Sequence, residues 1–448
     1  MGKFFGTDGI RGVANQHPIT PEFALKVGKA VAAIGKGGGK NGVLIGKDTR
    51  ISGDMLVSGV AAGVCSMGSD ALMAGVLPTP GVAYLTRRRK AAFGIVISAS
   101  HNPYTDNGIK IFNADGCKIS EQTEADIERL ILNDTMLIDN RPFGEPGRSI
   151  RVNKGGVLYT AFLRKTLPAD FLLKPLKVVI DCANGATSRI APGLFAGMGA
   201  AVVVLSAEPD GRNINERCGS EHTETLTETV VATGADVGLA FDGDGDRLVA
   251  VDETGCRLTG DQILAIIAAD MAAKGTVANR TVVSTVMSNM GFAAALKKLG
   301  LRHVAAGVGD RNVMEQMQAH GADLGGEESG HIILRRHHTT GDGILSGMQL
   351  LAVMVERGAP LSQLAQVMTV FPQVLLNVVV KEKPPLAEIE PLREVIRNVE
   401  TKMAEKGRVL VRYSGTQSMC RVMIEGPDGD EINRAAADIA AIIRRELS

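Results

Sequence analysis

The sequence predicts three related α/β domains with mixed or parallel sheets, followed by a smaller C-terminal α+β domain. Two observations carry this. Three segments repeat the order strand, polar turn, small-residue helix, strand: GVLIGKDTRISGDMLVSGVAAGVCSMGSDALMAG (42–75), LKVVIDCANGATSRIAPGLFAGMGAAVVVLS (176–206) and RTVVSTVMSNMGFAAALKKLGLRHVAAGVGD (280–310). Units of that length imply parallel strands joined by right-handed crossovers. The C-terminal part loses the pattern: VLLNVVVKEK (374–383), RVLVRYSG (408–415) and CRVMIEG (420–426) read as strands, and an Ala/Ile-rich helix follows from about 431. The expected domains are 1–150, 151–254, 255–368 and 369–448, changing near GRSIRVN (148–154), ETGCRLT (253–259) and MTVFPQ (368–373).

Taken along the chain, FGTDGIRG (5–12) first places Arg11 in a glycine-rich loop. In FGIVISASHNPYTDNGIK (93–110) an apolar run stops at two serines and a histidine, then breaks on Asn102-Pro103. A strand can end this way for topology alone, or because the C-terminal ends of parallel strands carry chemistry. Ser100 followed by His101 does not read as a hydrolase pair. Neighbouring residues on an extended chain point to opposite sides, and the G-x-S-x-G elbow is absent. The stretch stays open between a turn and a nucleophile, with Lys110 in the NGIK that closes it.

FDGDGDR (241–247) is the strongest local signal. Asp242, Asp244 and Asp246 alternate with glycine, so three carboxylates can converge with no side chain in the way, which suits Mg²⁺ or Ca²⁺. With Glu253 they match four EF-hand positions, but Arg247 stands where that loop needs glycine and the flanks are β-like. Beside such a site, a serine that carries a phosphoryl group gains weight. GDR (309–311) supplies Arg311. GEESGH (326–331) offers Glu327, Glu328 and His331 on a glycine-bounded loop, either for sugar hydroxyls and acid/base work or as a solvated turn. RYSGTQSMCR (412–421) offers Arg412, Ser414, Gly415 and Thr416 as an anion nest, with Arg421 a second clamp.

Composition narrows the partners. Among 448 residues, Lys+Arg and Asp+Glu both total 49, so no net field favours nucleic acid or a charged membrane. The chain has 53 Gly, no Trp and 4% aromatics, which suits tight loops around a small polar ligand and not base-stacking platforms. Six cysteines without a CxxC pair read as free thiols in a reducing compartment. MGKFFGTDGIRG has no long apolar core, and no apolar stretch reaches membrane-spanning length, so a cytoplasmic location is expected.

Together and in this order, FGTDGIRG, SASHNP, DGDGDR, GEESGH and RYSGT resemble the α-D-phosphohexomutase family, across residues 5–416. The opening, the length and GGEESGH resemble its bacterial branch acting on glucosamine phosphate. The resemblance implies four domains around a central cleft and a phosphoserine at Ser100. It implies one Mg²⁺ held by Asp242, Asp244, Asp246 and the Ser100 phosphate, with a hexose 1,6-bisphosphate as activator. Ser100 would pass its phosphoryl group to glucosamine 6-phosphate, and the 1,6-bisphosphate would turn over and return the other phosphate, leaving glucosamine 1-phosphate for UDP-N-acetylglucosamine and cell-wall synthesis.

By position, Lys110 and Arg247 are implied beside the moving phosphoryl group, His101 in support of Ser100, and His331 as a base. Glu327 and Ser329 are implied for the sugar, and Arg11 and Arg311 for substrate. Arg412, Ser414, Gly415, Thr416 and Arg421 are implied for the phosphate that does not react. Gln417-Ser418 and Tyr413 depart from the usual phosphate loop. A homodimer is implied by the resemblance alone. A phosphomannomutase/phosphoglucomutase is the alternative substrate reading. A divalent-metal or sugar-phosphate binding protein is the non-enzyme alternative, and it leaves Ser100 without a role.

Overall fold

Six strands form the first sheet: β1 (Ile10–Val13), β2 (Val43–Lys47), β3 (Ala71–Val76), β4 (Phe93–Ile97), β5 (Asp106–Asn113) and β6 (Ser149–Arg151), in the order β1-β5-β4-β2-β3-β6. The β2, β3, β4 and β6 contacts are parallel, and those of β5 with β1 and β4 are antiparallel. All five residues of β4 are buried, as expected of an apolar run at the centre of a covered sheet. Helices Pro21–Gly35, Gly53–Ser66 and Glu121–Leu132 send Phe23, Val27, Leu56, Val60, Ile127 and Leu130 into the core over it. Lys47 is in register with Ile97, so β2 and β4 release their chains at the same edge.

The computed structural model describes residues 3–6, 8–35, 42–133, 145–414 and 418–447. They fall into two compact units, Met1–Val286 with Gly300–Val367, and Met287–Leu299 with Met368–Ser448. The first unit holds two further sheets. One is β7 (Lys177–Asp181), β8 (Ala201–Leu205), β9 (Val237–Phe241), β10 (Leu248–Asp252) and β11 (Arg257–Leu258), ordered β11-β10-β9-β7-β8. The other is β12 (Thr281–Thr285), β13 (Arg302–Ala306), β14 (Leu324–Gly326) and β15 (Ile332–Leu334), ordered β13-β12-β14-β15. Each mixes parallel with antiparallel pairs. The second unit has one antiparallel sheet, β16 (Gln373–Val379), β17 (Arg408–Tyr413) and β18 (Met419–Glu425), with β18 in the middle. Helices Glu390–Met403 and Gly429–Leu447 cover it with Leu392, Val399, Ile432, Ile439 and Ile443.

The 280–310 repeat is strand, helix, strand, yet its helix Met290–Lys298 belongs to the second unit. Asn289 caps that helix through Gly291 N (3.0 Å) and exchanges hydrogen bonds with the Phe371 backbone (2.9 and 3.1 Å). The periodicity identifies the helix, but tertiary packing decides what it covers.

Helix Gly343–Arg357 starts on Asp342, whose Oδ1 accepts from Leu345 N (2.9 Å) and whose Oδ2 accepts from Tyr159 Oη (2.8 Å). Burial pushes this carboxyl up to about 7. The folded state therefore holds a proton that the unfolded chain has already lost, and stability from this group falls as pH rises through that interval. Asn can still cap the helix. The stability of wild type relative to Asp342→Asn is expected to fall from about pH 4 to about pH 7 and then level off, as measured by urea unfolding. A difference that is flat across that interval would contradict the burial argument.

No helix among the described residues is long and apolar enough to cross a membrane. All six cysteines are free thiols, with Cys182, Cys218 and Cys420 buried and Cys256 exposed.

Candidate active site

The edge where β4 ends carries Ser98-Ala99-Ser100, and the β9–β10 connection carries the aspartates. Ser100 is fully buried and its φ of 55° lies in the left-handed region. That turn rotates its hydroxyl to Asp242, where Oγ donates to Oδ2 at 2.5 Å. It also brings His101 Nδ1 to 3.3 Å from the same Oγ. The extended-chain geometry expected from sequence, with Ser100 and His101 on opposite sides, does not hold here, because the backbone has already left the strand. Burial first and Arg247 second push His101 down to about 4, so at neutral pH it is an uncharged neighbour of the hydroxyl.

Asp242, Asp244 and Asp246 each place a carboxylate oxygen within 4.8 Å of the others, and all three are buried. Gly243 lets the turn pass the serine, since a Cβ there would stand 2.7 Å from Ser100 O. Thr79 Oγ1 donates to Asp244 Oδ2 (2.6 Å), and Lys110 Nζ donates to Asp244 Oδ2 (2.8 Å) and Asp246 Oδ2 (3.1 Å). Asp244 Oδ1 and Asp246 Oδ1 are buried without a hydrogen-bond partner among the described residues. Buried carboxylate oxygens of this kind are costly unless something positive meets them. Burial, then Asp246 and Asp244, hold Asp242 well above the usual carboxylate range. Three converging carboxylates, two of whose oxygens make no hydrogen bond among the described residues, fit a divalent cation.

A closed circuit of alternating charge surrounds this cluster. Lys110 reaches Asp8 at 3.2 Å, Asp8 pairs with Lys118, and Lys118 reaches Asp310 at 2.7 Å. His331 Nε2 lies 3.5 Å from Asp310 and its Nδ1 lies 3.7 Å from Asp246, which returns to Lys110. Burial opposes charge on Lys110, but Asp244, Asp246 and Asp8 outweigh it and raise its pKa well above the usual value. Burial alone would raise Asp246, yet Lys110 and His331 hold it well below the usual range. Burial disfavours charge on His331, but Asp246, Asp310 and Glu327 lift it to about 9. Gly341 N donates to His331 Nε2 at 3.0 Å, so a second ring proton on the Asp310 side would displace that bond.

Arg11 pairs with Asp8 and its Nη1 reaches Ala99 O (3.3 Å) and Asn102 Oδ1 (3.4 Å), beside the serine turn. Arg247 lies 3.6 Å from Glu221 and 4.0 Å from Asp246. Glu327 Oε1 accepts from Gly309 N (3.0 Å), and burial raises its pKa, while Ser329 is exposed. Arg311 is held elsewhere, with both Nη atoms on Glu124 of helix Glu121–Leu132. In the second unit Arg412 stands opposite Arg421 across β17 and β18, and burial with that like charge lowers the pKa of Arg412. Ser414 is buried there, and its carbonyl accepts from Lys383 Nζ (2.7 Å). Gly415 and Thr416 lie outside the described residues.

Asp8, Thr79, Lys118 and Asp310 escaped the sequence reading. Asp8 and Asp310 sat inside quoted motifs whose arginines drew attention instead. Thr79 and Lys118 sat in no motif.

Four profiles of the phosphoglucomutase/phosphomannomutase family match the chain in order: alpha/beta/alpha domain I at 2–137, domain II at 159–255, domain III at 259–371 and the C-terminal domain at 375–442. A phosphoglucosamine mutase of Syntrophus aciditrophicus is 53% identical over all of both chains. The chain belongs to the phosphoglucomutase/phosphomannomutase family. Among solved structures of similar fold, a Burkholderia thailandensis phosphoglucomutase/phosphomannomutase family protein superposes with TM-score 0.81 at 23% identity, covering 98% of this chain and 97% of its own. An Aspergillus fumigatus N-acetylphosphoglucosamine mutase, solved with GlcNAc-6P and magnesium, gives TM-score 0.68 at 18% identity, covering 99% and 96%. This chain is thus a phosphohexomutase-type isomerase whose carboxylate cluster can take a metal ion.

Proposed function

We propose that this enzyme interconverts glucosamine 6-phosphate and glucosamine 1-phosphate, with Ser100 carrying the phosphoryl group and glucosamine 1,6-bisphosphate as the intermediate. The observation that carries the reading is Ser100 Oγ lying 2.5 Å from Asp242 within a buried carboxylate triad. The amino-sugar substrate follows the relatives near 50% identity that bear the phosphoglucosamine mutase name. Asp242, Asp244, Asp246 and the phosphate on Ser100 would hold one Mg²⁺. When bound, that ion neutralises charge on phosphoryl oxygens.

The protein residues do the remaining work. Ser100 Oγ bears the phosphoryl group, releases it to the free sugar hydroxyl, and takes back the other phosphate after the bisphosphate turns over. Lys110 and Arg247 would steady the charge of the moving group, and His101 packs uncharged against the hydroxyl. His331 would exchange the sugar hydroxyl proton, its ring fixed between Asp246 and Asp310. Arg11 supports the serine turn and the substrate. Glu327 and Ser329 are assigned to sugar hydroxyls, and Arg311 to substrate after exchanging Glu124 for it. In the second unit, Arg412, Ser414, Gly415, Thr416 and Arg421 form the proposed phosphate site, supported by two opposed guanidiniums. The domain division 1–150, 151–254, 255–368 and 369–448 is retained as part of the proposal. A hexose 1,6-bisphosphate would prime Ser100.

The test compares kcat/KM for glucosamine, mannose and glucose 6-phosphates with Mg²⁺ and a hexose bisphosphate. A preference of at least about tenfold for the amino sugar, ~1.4 kcal/mol, is expected. A preference of that size for mannose or glucose phosphate would transfer the assignment to a phosphomannomutase/phosphoglucomutase.

A further inference from the structure

The turn presenting Ser100 is gripped by two side chains that no sequence motif pointed to. Arg50 follows β2 and is fully buried. Its Nη1 pairs with Asp48, while its Nη2 donates to the carbonyl oxygens of Ser100 (3.1 Å) and Asn102 (2.5 Å). Asn215, in the segment between β8 and β9, donates Nδ2 to the same two carbonyls at 2.9 and 3.0 Å. Asp48 closes the frame. It accepts from Arg50 N (2.9 Å) and from Ser98 Oγ (2.6 Å), and that hydroxyl accepts from Ser100 N (2.9 Å).

A non-glycine residue at φ 55° persists only where its surroundings over-determine it. Here both carbonyls flanking His101 are held from two sides, by a buried guanidinium and an amide. Neither group touches Ser100 Oγ. Relaxing the turn would swing the hydroxyl away from Asp242.

We propose that Arg50 and Asn215 are positioning residues that lock Ser100 in its left-handed turn and fix where the phosphoryl group leaves and returns. This rests on Ser100 as the phosphoryl carrier. A guanidinium spanning a carboxylate and two carbonyls is a role lysine cannot reproduce.

The experiment measures kcat and KM for glucosamine 6-phosphate in wild type, Arg50→Lys, Arg50→Gly and Asn215→Ala. It also follows the mass gain of about 80 Da on priming with a hexose bisphosphate. A misplacement near 1 Å predicts a kcat loss of about a hundredfold in Arg50→Lys and about tenfold in Asn215→Ala. KM should stay within about twofold, and added guanidinium should restore part of kcat in Arg50→Gly alone. If the arginine variants fail to fold, Asn215→Ala, which removes no charge, decides. Folded Asn215→Ala with kcat within about twofold of wild type, or a loss confined to KM, overturns the proposal. Wild type that neither gains the phosphoryl mass nor turns over would instead overturn Ser100 as carrier.

Discussion

Ser100→Ala is expected to reduce kcat by at least about 10³-fold with the fold intact. The group removed is the hydroxyl that donates to Asp242 of the carboxylate triad at 2.5 Å, and alanine leaves that turn without an oxygen to carry the phosphoryl group. Little else should change. Among the described residues the hydroxyl's hydrogen bonds go to Asp242 and His101, and the frame around the turn binds its backbone. Asp242 keeps a second donor, Arg247 N at 3.1 Å on Oδ1, so loss of the serine hydroxyl does not leave it without a hydrogen bond. Circular dichroism and the thermal midpoint should stay near wild type, while the mass gain of about 80 Da disappears. Turnover within about tenfold of wild type, or a mass gain that persists, would remove Ser100 from the chemistry.

Lys110→Met is expected to produce the largest loss of stability. Lys110 is 1% exposed and reaches Asp8, Asp244 and Asp246 at 3.2, 2.8 and 3.1 Å. Removing one partner of a buried ion pair leaves charge uncompensated, typically at a cost of about 3–5 kcal/mol. The carboxylates would respond by retaining protons, so in EDTA the variant should gain stability as pH falls from neutral. The wild-type amine shows no such dependence from its own titration. Its folded pKa lies well above the usual value, so its contribution is complete below the unfolded pKa and fades only at strongly basic pH. Added Mg²⁺ should recover part of the loss by neutralising charge on the Asp242, Asp244 and Asp246 cluster. Urea unfolding of both proteins, with EDTA or Mg²⁺, reads all of this. A variant as stable as wild type in EDTA would show that the triad does not depend on this amine.

The site was legible where chemistry is written locally. In DGDGDR the three carboxylates and the glycines between them lie within five residues, so convergence is a property of one turn. Ser100 was legible as a polar stop on a buried run, but its aim was not. Its φ of 55° follows from bonds to residues 50 and 115 positions away, namely Arg50 and Asn215. GDR marks the difficulty most sharply. Sequence drew attention to Arg311, while the structure turns Asp310 toward Lys118 and His331 and gives Arg311 to Glu124. Consecutive residues at a helix start point about 100° apart, and only the packing of helix Asp310–Ala319 says which one faces the cluster.

The sequence by itself determined the α/β repeats, the separate C-terminal sheet, the aspartate triad and the family, because periodicity and short-range spacing encode them. Tertiary structure alone decided the charge circuit through Asp8, Lys118 and Asp310, the frame of Arg50 and Asn215, and which unit helix Met290–Lys298 joins. Those features rest on hydrogen bonds and ion pairs between residues tens to hundreds of positions apart. Such contacts form only once several sheets have closed their cores, and no local pattern specifies the partner.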